Sequence, residues 1–240
     1  MLSRPIFWQR MIQPVRQLYS NLSMTPCLLC HTPTQQYGVC AHCQHDLPRI
    51  VIACPRCAIP LTSPYHCGHC LTSPPLRYAS LSVFSYNPAI KKLISQFKFH
   101  QALHLKYFFS AQLAQMVADK VVDTPQLIMP IPLHTSRLRQ RGYNQAGEVA
   151  KILSKQLQIP LNQTHLQRIK ATQSQSQLTL KERKKNLHAA FHCRPFHSNT
   201  HIVLIDDVLT TGHTAEAATK ALLQQGVSKV SLWTIARATL

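Results

Sequence analysis

The apolar positions of this chain fall into short runs and helical stripes that alternate along most of its length. Residues 78–84 alternate towards a strand. From Asn87-Pro88 onward, Ile90, Leu93, Ile94 and Phe97 recur at three- and four-residue spacing, so a basic amphipathic helix opened by proline is expected there. A second helix is predicted over 102–117. Leu127-Ile128-Met129 reads as a short buried strand ending at Pro130-Ile131-Pro132, and as the first strand of a core sheet. Asn144-Gln145 then leads a helix through Leu157. Ile202, Val203, Leu204 and Ile205 form an unbroken run rich in β-branched residues, the pattern of a strand buried on both faces of a parallel sheet. After it, 215–225 is built from good helix formers, Gly226 stops the helix, and 227–236 alternate as a final strand holding Trp233. Strands separated by helices predict an α/β fold, a parallel sheet flanked by helices.

The acids Asp206 and Asp207 stand at the carboxyl end of the 202–205 strand, the edge where open α/β sheets bind ligands. Thr210, Thr211, Gly212, His213 and Thr214 then lead into a helix. Unpaired N–H groups at that helix start, together with the threonine hydroxyls, suit a phosphate, and Gly212 lets it approach the backbone closely. The carboxylates would accept hydrogen bonds from neighbouring ribose hydroxyls. An ordinary corner with solvated acids is the competing reading.

Two basic stretches accompany this site. Arg137, Arg139 and Arg141 follow the 127–129 strand, where the planar guanidinium fork suits phosphate oxygens; a solvated basic turn is the alternative. Residues 166–191 are polar, rich in Gln and Ser, and basic, with Glu182 their one acid. They resemble a mobile flap that closes over a ligand, or whose Arg168, Lys170, Lys181, Arg183, Lys184 and Lys185 track a nucleic-acid backbone.

Between 25 and 75 lie four Cys-x-x-Cys pairs, Cys27/Cys30, Cys40/Cys43, Cys54/Cys57 and Cys67/Cys70. The second two repeat the first two at an offset of 27 residues, an internal duplication. Two such turns bring four thiolates around one Zn²⁺ in a closed, structural site, so two zinc ribbons are expected, each half pairing with itself. A disulfide framework would need an oxidising compartment, and a redox pair explains one Cys-x-x-Cys but hardly four. His31, His42, His45, His66 and His69 lie nearby as substitute ligands, with surface roles preferred. Cys193 is expected to be an incidental core thiol. So short a module has few large apolar residues, and metal would supply its folding free energy.

The charge balance changes the choice of partners. Against 26 Lys plus Arg stand 8 Asp plus Glu, a formal net charge of +18, so the surface favours polyanions: nucleic acid, anionic lipid or phosphorylated small molecules. No apolar run approaches the roughly eighteen residues that span a bilayer, and the start lacks the apolar core and cleavage site of a secretory signal, so a cytoplasmic protein is expected, peripheral at most to the inner membrane. Three units are read: a basic amphipathic segment at 1–24, which packs on its neighbour or touches a membrane; the double zinc-ribbon module at 25–73; and an α/β domain at 78–240, after the proline-containing stretch 71–77.

The order apolar strand, Asp-Asp, two apolar residues, Thr-Thr-Gly closely resembles the phosphoribosyl pyrophosphate (PRPP) signature of type I phosphoribosyltransferases. By that resemblance Asp206 and Asp207 hold the ribose diol, Thr210 to Thr214 hold the 5′-phosphate, the arginine stretch meets the pyrophosphate, and Mg²⁺ accompanies PRPP. The cysteine pairs, PLHTSRLRQRGYNQ, RIKATQSQSQLTLKERKKNLHAAF and IDDVLTTGHT, in this order, resemble the competence protein F (ComF) family from about residue 25 to the end. The family implies a cytoplasmic phosphoribosyltransferase-like protein of natural transformation, acting at or after the entry of single-stranded DNA. One position departs from the purine-salvage relatives, which carry Asp before the final Thr-Gly where this chain has Thr210, so no general base for a nucleobase is evident. The resemblance therefore leaves two uses: pyrophosphate-releasing transfer from PRPP to an acceptor, or PRPP binding in a protein that handles single-stranded DNA. The ribbons could also dock a helicase or an inner-membrane DNA channel.

Overall fold

The computed structural model describes residues 25–99, 102–170, 190–196 and 200–239. The 1–24 segment, and the part of the basic stretch that holds Lys181, Arg183, Lys184 and Lys185, lie outside the described residues.

The cysteine-rich part comes first, and its duplication is visible in the backbone. Strands β1 (Thr25–Pro26) and β2 (Pro33–Thr34) pair antiparallel, followed by the one-turn helix α1 (Ala41–His45). Helix α2 (Gly68–Thr72) stands 27 residues after α1. The Cys27 N–H donates to Thr32 O at 2.9 Å, and Cys54 repeats this with Ile59 O at 2.9 Å. His31 and Ala58, at equivalent places, both take positive φ, 64° and 56°.

The α/β part runs β3 (Ala79–Ser85), α3 (Pro88–Phe99), α4 (Leu105–Lys120), β4 (Leu127–Pro130), α5 (Thr135–Arg141), α6 (Gln145–Leu157), β5 (Leu166–Arg168), β6 (Phe191–Cys193), β7 (His201–Leu209), α7 (His213–Leu223) and β8 (Lys229–Arg237). The main sheet has the order β3-β8-β7-β4, and every pairing in it is parallel. The 127–130 strand is therefore not the first of the core. That place belongs to β3, which sits at the opposite edge beside the C-terminal strand, a long-range pairing no local pattern reveals.

Because side chains alternate along a strand, the central strands feed two cores. Val203, Ile205, Trp233 and Ile235 join Ile90, Leu93, Phe97, Leu105, Phe109 and Leu153 of α3, α4 and α6 on one face. Ile202, Leu204, Val230 and Leu232 join Ala215, Ala218 and Leu222 of α7 on the other. Fully burying each Leu, Ile or Phe is worth about 1.5–3 kcal/mol, so these two layers outweigh the propensity of any single element. Cys193 is buried in the second layer, as a core thiol. Strands β5 and β6 pair antiparallel, Arg168 opposite Phe191, and bring the two ends of the basic stretch together.

Candidate functional site

The strand that carries the acids is longer than its apolar run. β7 extends through Asp206 and Asp207 to Leu209, because β8 continues beside it, with Asp206 opposite Thr234 and Leu209 opposite Arg237. Adjacent residues on a strand point to opposite faces, and the carboxylates divide accordingly. Asp207 lies toward α3, where Lys98 Nζ reaches its Oδ2 at 2.7 Å, both side chains being largely buried. Asp206 lies toward β5. Burial first, and then the Asp207 carboxylate, push its pKa up to about 7, against the Asp207 N–H, which donates to Asp206 Oδ1 at 2.8 Å.

Three arginines complete the ring of charge. Burial lowers the pKa of Arg141 and of Arg168, while the fields of Asp207 and Asp206 respectively favour their charged forms; Arg137 repels both. The Arg141 guanidinium also lies 4.9 Å from the centre of the Phe99 ring and donates to Gln145 Oε1 at 3.2 Å. The arginine stretch is helix α5, not a loop. It is capped by His134, whose Nδ1 accepts from Ser136 N–H at 3.3 Å, and it ends at Gly142 with φ 79°. On a helix Arg137 and Arg141 share a face, whereas Arg139 falls roughly 160° away from either, and it is exposed. The three arginines thus do not share one face of the helix. Asn144 Nδ2 donates to Ile131 O at 3.0 Å, which fastens the start of α6 to the end of β4.

The loop after β7 turns at Gly212, whose φ of 82° places it in the left-handed region as the N-cap of α7. Thr210 and Thr211 are exposed, His213 and Thr214 half-buried, and Thr211 Oγ1 lies 3.0 Å from His213 Nδ1. This arrangement brings the first N–H groups of an eleven-residue helix, three threonine hydroxyls and the two acids to one end of the sheet.

Residues with no sequence signal surround this loop. Arg77, 4% exposed, bonds Glu216 Oε2 at 3.2 Å and Ser80 Oγ at 2.6 Å, and the Leu76 N–H donates to Glu216 Oε1 at 2.8 Å. Arg237 donates from Nη1 to Leu209 O at 3.0 Å and Thr210 O at 2.6 Å, and from Nε to Cys57 O at 2.9 Å. The proline-containing stretch before β3 is therefore clamped to α7. Lys98, too, could be read from sequence only as one more charge on an amphipathic helix.

The eight paired cysteines gather as two groups, Cys27, Cys30, Cys40 and Cys43, and Cys54, Cys57, Cys67 and Cys70, with ligand atoms within 4.8 Å of one another in each. All are free thiols. The Cys30 and Cys40 sulfurs lie 3.6 Å apart, as do those of Cys57 and Cys67, near the edge of a tetrahedron with sulfur about 2.3 Å from its centre. Each group can hold one metal ion. The Cys40 N–H donates to Cys27 Sγ at 3.4 Å and the Cys67 N–H to Cys54 Sγ at 3.4 Å, the backbone support that thiolate ligands need.

Comparison with known proteins agrees with this geometry. The phosphoribosyl transferase domain family matches residues 140–239. The DNA utilization protein YhgH of Salmonella typhimurium is 31% identical over 222 residues, covering 88% of this chain and 96% of that protein. Competence protein F of Haemophilus influenzae is 32% identical over 213 residues, covering 84% of this chain and 91% of its own. Competence protein ComFC of Bacillus subtilis is 28% identical over 210 residues, covering 83% and 84%. The fold is that of a type I phosphoribosyltransferase-like sheet preceded by a small module with two four-cysteine clusters.

Proposed function

The chain belongs to the competence protein F family, and on that premise we propose that it binds PRPP with Mg²⁺ and uses this site in handling single-stranded DNA during DNA uptake, on the cytoplasmic side of the membrane. One observation carries the ligand half of this reading: acids and bases alternate around a helix N-terminus at the carboxyl edge of the sheet. Asp206 and Asp207 accept from the ribose diol. The Thr210 to Thr214 loop cradles the 5′-phosphate with backbone N–H groups and hydroxyls. Lys98, Arg137, Arg141 and Arg168 supply the positive charge that a pyrophosphate needs, and Mg²⁺ arriving with PRPP would add further charge neutralisation there. With Thr210 in place of an acid, the site is suited to holding a phosphoribosyl group more evidently than to activating a nucleobase.

The DNA half is supported by the net charge of +18 and by relatives named for competence and for DNA utilization. Among the described residues no helix is long and apolar enough to cross a membrane. Zn²⁺ suits both four-sulfur clusters, closed sites with no protein position left for chemistry. Calorimetry with PRPP and Mg²⁺ tests the ligand half. Heat of binding is expected for the parent and none for Asp206→Asn/Asp207→Asn; a silent parent would sink the reading.

A further inference from the structure

We propose that Arg237 is a positioning residue that couples the second cysteine cluster to the phosphate loop, so that metal held by Cys54, Cys57, Cys67 and Cys70 sets the loop's readiness for a phosphoryl ligand. The coupling rests on the phosphoribosyl reading of that loop.

The turn between Cys54 and Cys57 has two sides. On its inner side the N–H groups of Cys67, Cys57 and Arg56 face the Cys54 sulfur, that of Cys67 at 3.4 Å. On its outer side the successive carbonyls of Pro55, Arg56 and Cys57 all face the α/β part. The Ser80 N–H donates to Pro55 O at 2.9 Å, Ser80 Oγ to Arg56 O at 2.7 Å, and Arg237 Nε to Cys57 O at 2.9 Å. Peptide planes that aim the Arg56 and Cys57 N–H groups at sulfur must aim the Pro55 and Arg56 carbonyls the other way. The Cys57 carbonyl shares its plane with the Ala58 N–H, which donates to Cys54 O at 2.8 Å and closes the turn between the two sulfur ligands. A metal that holds both sulfurs would thus fix this turn, and its carbonyls with it, including the one that Arg237 binds.

The other prong of the same guanidinium ends in the loop. Nη1 donates to the carbonyls of Leu209, Thr210 and Ala238. With the Thr210 carbonyl held by Arg237, the following N–H groups are turned toward the ligand side. Arg77 braces the assembly from its flank, its Nη1 and Nη2 each 3.5 Å from the position of a Cβ on Gly212 and its Nε on Ser80, the residue that also holds the metal turn. The first cluster has a different neighbour. Its half packs through Tyr37 against Tyr107 of α4, with ring centres 5.4 Å apart. Duplicated metal turns thus have unequal roles: one braces α4, the other reaches the ligand loop.

The test uses the full-length, metal-loaded chain and two readouts. Amide hydrogen exchange of residues 209–216 is measured without ligand, and PRPP with Mg²⁺ is titrated by calorimetry. Cys67→Ser and Arg237→Met are each expected to speed exchange in that loop and to weaken PRPP binding about tenfold, Arg237→Lys falling between them and the parent. Cys40→Ser, the equivalent change in the first cluster, is expected to affect both clearly less than Cys67→Ser does. The double variant Cys67→Ser/Arg237→Met is no worse than either single one, because both cut one linkage. Equal loop exchange in parent, Arg237→Met and Arg237→Lys overturns the proposal, as does an equal effect of Cys40→Ser and Cys67→Ser. If the parent binds no PRPP while the exchange pattern holds, the ligand reading fails and the coupling stands.

Discussion

Arg77 and Glu216, 139 residues apart in the chain, meet at 3.2 Å beside the first turn of α7. The Arg77 side chain is almost wholly buried, whereas Glu216 keeps about a third of its surface. Glu216 also receives the Leu76 N–H, so one carboxylate closes the stretch before β3 onto the helix that follows the Thr210–Thr214 loop.

Removing that carboxylate strands a buried cation. Glu216→Ala is expected to lower stability by about 2 kcal/mol in urea unfolding, a value reduced for the partial exposure of Glu216. Arg77→Met in the same background should recover part of the loss, since an apolar chain of similar length fills the site without a charge.

Asp206 makes the site pH-sensitive. Its folded pKa of about 7 stands above the ordinary 3.8, so the folded protein binds this proton more tightly than the unfolded chain. Stability from this group is therefore greatest at low pH, falls across the window from 3.8 to about 7, and is lowest above it. Asp206→Asn should remove this slope and stabilise the ligand-free protein in alkaline buffer, as read by thermal unfolding. Ligand affinity runs the other way: a carboxylate that accepts from a ribose diol must be ionised, so PRPP binding should tighten as pH rises through about 7, with proton release seen as a buffer-dependent enthalpy.

The helical placement of the arginines separates their effects. Arg141, facing Asp207, is expected to matter for PRPP, and Arg141→Ala should weaken it about tenfold. Exposed Arg139 should matter only to DNA: Arg139→Ala leaves PRPP titrations unchanged and flattens the salt dependence of oligonucleotide binding by about one unit of slope.

Metal content follows the two clusters. Thiol titration with a colorimetric chelator should release two zinc ions per parent chain, one from Cys40→Ser or Cys67→Ser, and none from the double variant. One ion shared between the halves would contradict the separate clusters.

A side chain at Gly212 should be costly mainly through the backbone. At φ 82° an alanine is strained by about 1 kcal/mol, and its Cβ would lie against the Arg77 guanidinium. Gly212→Ala is expected to lower PRPP affinity more than stability, measured by calorimetry beside thermal unfolding.

Much of this was legible locally. The 88–99 helix announces itself through Asn87, Ile90 and Phe97, and the 27-residue offset of the cysteines predicts both the duplicate turns and their pairing within each half. Short-range features of this kind depend on spacing, and spacing is what a sequence displays. Errors arose where distant segments meet. Residues 127–130 looked like the opening strand of the core because nothing near β3 advertises its pairing with β8. The helix over 135–141, by contrast, is local, capped by His134, and was missed because the basic stretch lacks an apolar stripe.

The sequence by itself determined the chemistry available at the site: two acids, a threonine-rich turn, a helix to follow, and eight thiols at ligand spacing. Only the tertiary structure decided how that chemistry is deployed. Strand alternation sent Asp207 to Lys98 and Asp206 toward Arg168, and the parallel pairing of β7 with β8 set Arg237 between Cys57 and Thr210. The physical reason is range. Periodicity and ligand spacing act over a few residues and leave a trace in the chain, whereas a guanidinium that bridges the carbonyls of Cys57 and Thr210, far apart in the chain, is specified by the packing of the whole sheet.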